Sequence, residues 1–268
     1  MPPPVTVIKD CRHGRMMFLP HDQYVGRALD LYGEYGEIEA RTLAQLVKPG
    51  QTVVEVGANM GAHTVHLGRL VGPSGQVIAF EPQRAMFYLL CANLALNDLF
   101  HVMAYRIALG DAPGNAPVPL VDVHQPANFG GKALFDPGPT EQVLVRRVDG
   151  LALPALHLLK IDVEGMEMQV LRGARETIAR YRPIIYAEND RRGKSPALIR
   201  LLVEYGYDLY WDLPPLYNSD NFARNPTNVF PRLVSANLLC LPKERQQPIS
   251  GFRPVTGPDD WMLSGGQS

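Results

Sequence analysis

The sequence predicts an open α/β fold built on a mostly parallel sheet. Three observations carry this reading. The β-branched run Thr52–Val56 leads into a glycine loop, Gly57–Gly61, and a helical pattern follows. A second apolar run, Gln76–Phe80, ends in an acid, Glu81. Beyond it, strand-length apolar runs keep alternating with helical stretches, which implies parallel strands joined by right-handed crossovers.

The elements follow in order. Val5–Ile8 and Met16–Leu19 flank Cys11–Gly14 and read as a hairpin. Asp22 can cap a helix from about Tyr24 to Leu31. Glu37–Val47 is a second helix, stopped by Pro49-Gly50. Val53–Val56 is a buried strand, Ala62–Leu70 a helix and Val77–Phe80 a strand. Arg84–Leu96 places Met86, Leu90 and Leu94 on one helical face, and Val102–Ala108 is the third strand. The Pro/Gly-rich stretch Asp111–Thr140 breaks the rhythm. With possible strands Val118–Val123 and Gln142–Val148, it reads as an excursion over the sheet edge. Leu156–Ile161 is the fourth strand, Met168–Tyr181 a helix, Pro183–Ala187 the fifth strand and Ala197–Tyr205 a helix. Tyr207–Trp211 and Val234–Leu241 close the sheet as an antiparallel pair. No repeat or long linker divides the chain. Residues 1–50 form a hairpin and helical lid, 51–243 the core and 244–268 a polar, partly disordered tail, all in one domain.

Composition narrows the function classes. Of 268 residues, 46% are hydrophobic, enough for a full core, and the formal net charge is −1. No basic excess marks a nucleic-acid partner, which would need clustered Lys and Arg. Cys11, Cys91 and Cys240 are scattered, with no Cys-x-x-Cys, so neither a disulfide framework nor a zinc site is expected. The start, Met-Pro-Pro-Pro-Val, is no signal peptide. No apolar run reaches the roughly 18 residues of a membrane span. The expected setting is soluble and cytoplasmic, and the oligomeric state is not legible.

The glycine loop carries the chemistry. Gly57 and Gly61 let backbone approach a ligand, and the helix start offers free N–H groups to an anionic group. Glu81, about twenty residues on, suits two ribose hydroxyls. The pattern is G-x-N-x-G, with Asn59 where a dinucleotide fold wants its middle glycine, and no phosphate-binding Lys or Arg stands nearby. The loop alone leaves NAD and S-adenosylmethionine (SAM) open, and Glu55 with Asn59 favours SAM. His63 and Thr64, in the first turn of the helix, can line the same pocket, His63 also serving as a neutral base.

Acids gather at other strand ends. Asp162 follows strand four, with Glu164 two residues on, and Glu188 and Asn189 follow strand five. Asp162, Glu164 and Glu188 are the candidate catalytic groups. Asp162, Glu188 and Asn189 are hard oxygen donors suited to Mg²⁺, and a metal-free base role fits the same acids. Helix capping is the plain alternative for Asp162. Asn128, Phe129, Asn189, Asn218 and Asn221 are candidate acceptor contacts, because their segments connect strands at this edge. Leu213–Tyr217 is similar to an Asp-Pro-Pro-Tyr motif of DNA amino-methyltransferases, but it follows the wrong strand.

Together, Val56–Thr64 (with Ala58), Ala79–Pro82, Leu159–Glu167 and Asn218–Pro226 resemble, in order, the FkbM family of SAM-dependent methyltransferases. Glu55 and Met60 stand where that family often has Asp and Ile. The resemblance covers residues 20–243. It implies a single-domain, Rossmann-like class I methyltransferase fold with a seven-stranded sheet and an antiparallel C-terminal pair. It implies SAM held by Glu55, Gly57, Ala58, Asn59, Gly61, His63, Thr64, Glu81, Pro82, Ala108 and Asp162. The acid pair at strands four and five is also similar to the metal site of magnesium-dependent small-molecule O-methyltransferases. The expected function is O-methylation of a hydroxyl on a sugar or other small metabolite. N-methylation of a small amine and a non-catalytic SAM-binding protein are the alternatives, with a nicotinamide dehydrogenase more distant.

Overall fold

The computed structural model describes residues 5–131, 137–245 and 250–262. The expectations on residues 1–4, on 132–136 of the excursion and on 246–249 and 263–268 of the tail lie outside them.

The chain opens with the hairpin β1 (Val7–Cys11) and β2 (Gly14–Phe18), turning on Arg12-His13. These strands run closer to the turn than the apolar pattern predicted. Pairing continues through Lys9, Asp10 and Arg15, which are polar and leave no hydrophobic trace. Two helices follow, α1 (Val25–Tyr32) and α2 (Glu37–Leu46). Asp22 accepts the Gly26 amide at 2.7 Å, satisfying one of the free N–H groups of α1.

The core then alternates through β3 (Thr52–Val56), α3 (Ala62–Val71), β4 (Gln76–Phe80), α4 (Arg84–Leu96) and β5 (Val102–Tyr105). β5 ends sooner than predicted. Ala108-Leu109 instead forms β6, in a small sheet with β7 (Gly114–Pro119) and β8 (Thr140–Arg146). After β9 (Leu158–Ile161) the predicted single helix is two, α5 (Glu167–Arg172) and α6 (Arg175–Tyr181). Gly173 stands in the break, and a Cβ on it would lie 1.9 Å from the Gly110 carbonyl oxygen, so two backbones meet there. β10 (Ile184–Glu188), α7 (Ser195–Glu204), β11 (Tyr207–Asp212), β12 (Asn237–Pro242) and β13 (Arg253–Pro254) complete the chain.

The main sheet has the order β13-β11-β12-β10-β9-β3-β4-β5. β10, β9, β3, β4 and β5 are parallel, and β12 enters antiparallel between β10 and β11. Among the described residues the sheet has eight strands rather than the expected seven, because the tail supplies β13. Arg253 anchors that strand: it pairs with Asp260 at 2.9 Å and lies over the Trp211 ring at 5.8 Å.

Period-two alternation sends the two faces of the sheet into separate cores. Val53, Val77 and Leu158 pack towards Leu43, Leu67 and Leu90. Val54, Ile78 and Leu159 pack towards Val170, Ile178 and Leu198. Burying each such side chain contributes about 1.5–3 kcal/mol. Chain order reverses between β3 and β9, so the crevice of an open α/β sheet falls at their carboxyl ends.

Candidate active site

The glycine loop is shaped by close backbone approach. Gly57 has φ +85°, and a Cβ there would lie 1.7 Å from the Asp162 carbonyl oxygen. The Asp162 amide in turn donates to the Val56 carbonyl at 2.9 Å. β3 and β9 thus end side by side, with Gly57 and Asp162 on one rim.

Two connected chambers open at this rim. The first, with about 500 Å³ of empty volume, is mostly apolar, walled by Phe80, Pro82, Ile107, Ala108, Leu109 and Met166. The second, about 750 Å³, is polar and includes Ala58, Asn59, His63, Asn128, Lys160 and Glu188. Gly57, Glu81, Gly130, Asp162 and Glu164 border both. Ala108 lines the apolar chamber from β6 and not from the end of β5.

Glu81 accepts the Asn59 and Gln83 amides, each at 2.8 Å, which fixes the loop against β4. Burial pushes its carboxyl up to about 7. Glu55 is likewise pushed up to about 7 by burial, against the pull of Lys160 and the Thr64 hydroxyl. Thr64 donates to Glu55 at 2.6 Å and is fully buried, so it braces β3 and is not among the residues lining the chambers. Gly61 begins α3 in the left-handed region and also stands behind the lining.

His63 is 7% exposed, and both ring nitrogens lack a hydrogen-bond partner. Burial, then the Lys160 charge, holds its pKa well below the usual histidine range, so the ring is neutral. Its Nε2 lies 3.5 Å from Glu39 Oε1.

Asp162, Glu164 and Glu188 bring carboxylate oxygens within 4.8 Å of one another. Glu164 takes a 2.6 Å hydrogen bond from Arg191, and burial pushes it up to about 7. Glu188 Oε2 is buried without a partner. Burial, then Asp162, raises its pKa well above the carboxylate range.

Four expected acceptor contacts are placed elsewhere. Asn189 points away from the chambers and donates to Ser195 at 2.9 Å, because successive strand residues face opposite sides. It is therefore not in the acid trio, and Glu164 stands in its place. The Phe129 side chain is 1% exposed within the core under the loop. Asn218 donates to the buried Glu34 at 2.9 Å, and Asn221 is tied to Asn218 and Asn225. Asn128 does line the polar chamber.

Sequence reasoning missed Lys160, Tyr24, Tyr35 and Ser235 on the polar wall, and Glu39 behind it. One signal was present for Lys160: a lysine inside the otherwise apolar strand Leu158–Ile161 must have buried partners.

The residues present fit SAM. An apolar slot suits adenine, an acid between the chambers suits a ribose, and unpartnered buried atoms await polar groups beyond. Fold and site together define a class I SAM-dependent methyltransferase. Residues 55–209 match the family model described as the Methyltransferase FkbM domain, and the chain belongs to that family. It is 28% identical over 201 residues to the methyltransferase sdnD of Sordaria araneosa, spanning 60% of this chain and 74% of that protein. It is 31% identical over 147 residues to methyltransferase 1 of Beauveria bassiana, spanning 45% of this chain and 57% of the relative. The chain thus covers little more than half of that second protein. A solved precorrin-6y C5,15-methyltransferase of Geobacter metallireducens shares the fold, with TM-score 0.51 and 13% identity over 76% of this chain and 87% of its own. No described helix is long and apolar enough to cross a membrane.

Proposed function

We propose that this methyltransferase acts on a hydroxyl of a small metabolite such as a sugar. The observation that carries this is Glu188 Oε2, buried without a partner beside Asp162 on the polar wall. A neutral hydroxyl needs a proton acceptor as it attacks, and Glu188, once ionised, is the stronger base for being desolvated beside Asp162.

In this reading Phe80, Ile107, Leu109 and Met166 hold the adenine, Glu81 the ribose, and Gly57–Asn59 with His63 the methionine end. SAM, when bound, supplies an electrophilic methyl carbon on a cationic sulfur. With SAM bound, the chain would orient the acceptor oxygen and accept its proton on Glu188 or Asp162 as the new C–O bond forms and the methyl–sulfur bond breaks, its electron pair staying on sulfur as a neutral thioether. Asn128 contacts the acceptor from the loop above. Tyr24 and Tyr35, from the N-terminal helical region, shield the chamber from water.

The same acids could hold an ammonium group, and this favours N-methylation of a small amine as the second reading. Methyl-labelled SAM with a panel of sugars, hydroxy metabolites and amines separates the two. Methyl ethers as products support the first reading, and N-methyl products alone would overturn it.

A further inference from the structure

Lys160 is the one charged residue of β9 before its carboxyl end, and its side chain is 2% exposed. Its Nζ lies 3.5 Å from Asp162 Oδ2, 3.9 Å from Glu39 Oε1 and 4.0 Å from Glu55 Oε1. These acids come from three places, the residue after β9, α2 and β3. Strand register explains part of the meeting. Glu55, Lys160 and Tyr186 stand opposite one another on β3, β9 and β10, on one face of the sheet.

The other groups around the ammonium are accounted for. Glu188 at the end of β10 also attracts it, and His63 on α3 is repelled and stays neutral. Tyr186 donates its hydroxyl to Asp212 at 2.8 Å. Tyr35 sits near the same acids and stays protonated, through burial first and then their charge. Burial disfavours a charge on Lys160, but Asp162, Glu39, Glu55 and Glu188 outweigh it. Three carboxylates from separate parts of the chain lie within 4.0 Å of the Lys160 ammonium, and this geometry places a cation at the back of the polar chamber.

A trio of carboxylates within one coordination distance ordinarily calls for a divalent cation. Here a fixed charge already stands against one of its members. We propose that Lys160 is the positioning residue of this site: its ammonium supplies the positive charge that Asp162, Glu164 and Glu188 would otherwise take from a metal ion, and holds Asp162 against the chamber wall. The inference rests on the hydroxyl-acceptor reading for its catalytic part and on this geometry alone for its metal part.

Two arms test it. Mn²⁺ titrations followed by electron paramagnetic resonance compare the wild type with Lys160→Met. The wild type should show no stoichiometric Mn²⁺ site, and the variant should gain one that Glu188→Gln removes. Stoichiometric Mn²⁺ on the wild type, or none gained by the variant, would overturn the proposal. In turnover, the wild type should be indifferent to EDTA. Lys160→Met should lose about 10²-fold in kcat, the scale of a lost electrostatic contact. SAM affinity should change little, and added Mg²⁺ should restore part of the loss. A merely structural lysine would give no metal rescue. EDTA-sensitive wild type, or full kcat in Lys160→Met, would sink the idea. Should Lys160→Met fail to fold, Lys160→Met with Glu39→Gln removes one buried acid along with the lysine, and both arms are read on that protein. If the wild type methylates no hydroxyl acceptor, the functional reading fails while the Mn²⁺ arm still decides the role of Lys160.

Discussion

Gly57 and the carbonyl of Asp162 are in such close approach that no side chain fits between them: a Cβ would sit 1.7 Å from that oxygen. Gly57→Ala must therefore separate the ends of β3 and β9 while also straining a residue at φ +85°. The expected cost is roughly 3 kcal/mol. Chemical denaturation reads it, and a change under about 0.5 kcal/mol would contradict the packing described.

Glu81→Ala should weaken SAM binding by about 1–3 kcal/mol, the worth of charge-assisted hydrogen bonds. Calorimetry checks this, and unchanged affinity would remove Glu81 from the cofactor site.

Glu55 and Glu81 give the empty protein a definite pH dependence. Each has an ordinary value of 4.5 and is pushed up to about 7 in the fold by burial. A raised folded-state pKa means the group contributes stability that is fully present below 4.5 and is lost as pH rises through 7. Thermal stability of the empty protein should fall across that window, and Glu81→Gln should flatten part of the slope. A cationic ligand favours the ionised acids, so SAM affinity should rise over the same range. Affinity that is flat or falling with pH would contradict this.

Asp22 joins two segments over the site. One oxygen accepts the Gly26 amide at 2.7 Å and the other the Phe129 amide at 3.0 Å. Asp22→Ala should cost about 1–3 kcal/mol and free residues 127–131. Hydrogen exchange at those amides should accelerate more than at β3, and uniform acceleration would point to global loss.

Asn221→Ala should now act on stability and not on acceptor selection. The side chain is 2% exposed and both donates, to the Asn218 and Asn225 carbonyls, and accepts, from the Asn225 amide, within its own turn. A drop of about 1–3 kcal/mol with acceptor KM unchanged is expected. A changed KM in a protein of normal stability would return Asn221 to the acceptor site.

What the sequence revealed was local. Gly57, Glu81 and Asp162 each follow a strand-length run, so their place at the carboxyl edge could be read from spacing. Parity along β10 could also have excluded Asn189 once Glu188 was given to the chamber. Phe129 was not legible, because only the tertiary path of its loop turns the ring into the core. Lys160 stood out as a lysine inside an apolar strand, but which acids would meet it depended on register among three strands and on the approach of α2, neither of which has a local signature. The extra strand β13 likewise rests on partners, Trp211 and Asp260, that composition does not reveal.

The insertion of β12 between β10 and β11 has a consequence for synthesis. Residues 237–242 are the last long strand to be made, yet they occupy an interior place in the sheet. Until they emerge, the nascent chain holds β10 with one bare edge and β11 with no neighbour at all. Ile185, Tyr186 and Ala187, all buried in the finished sheet, border that open edge. An uncapped apolar edge invites pairing with another chain. Stalled or truncated translation just before residue 237 should therefore yield a chaperone client, whereas release after β12 yields a chain whose sheet can close.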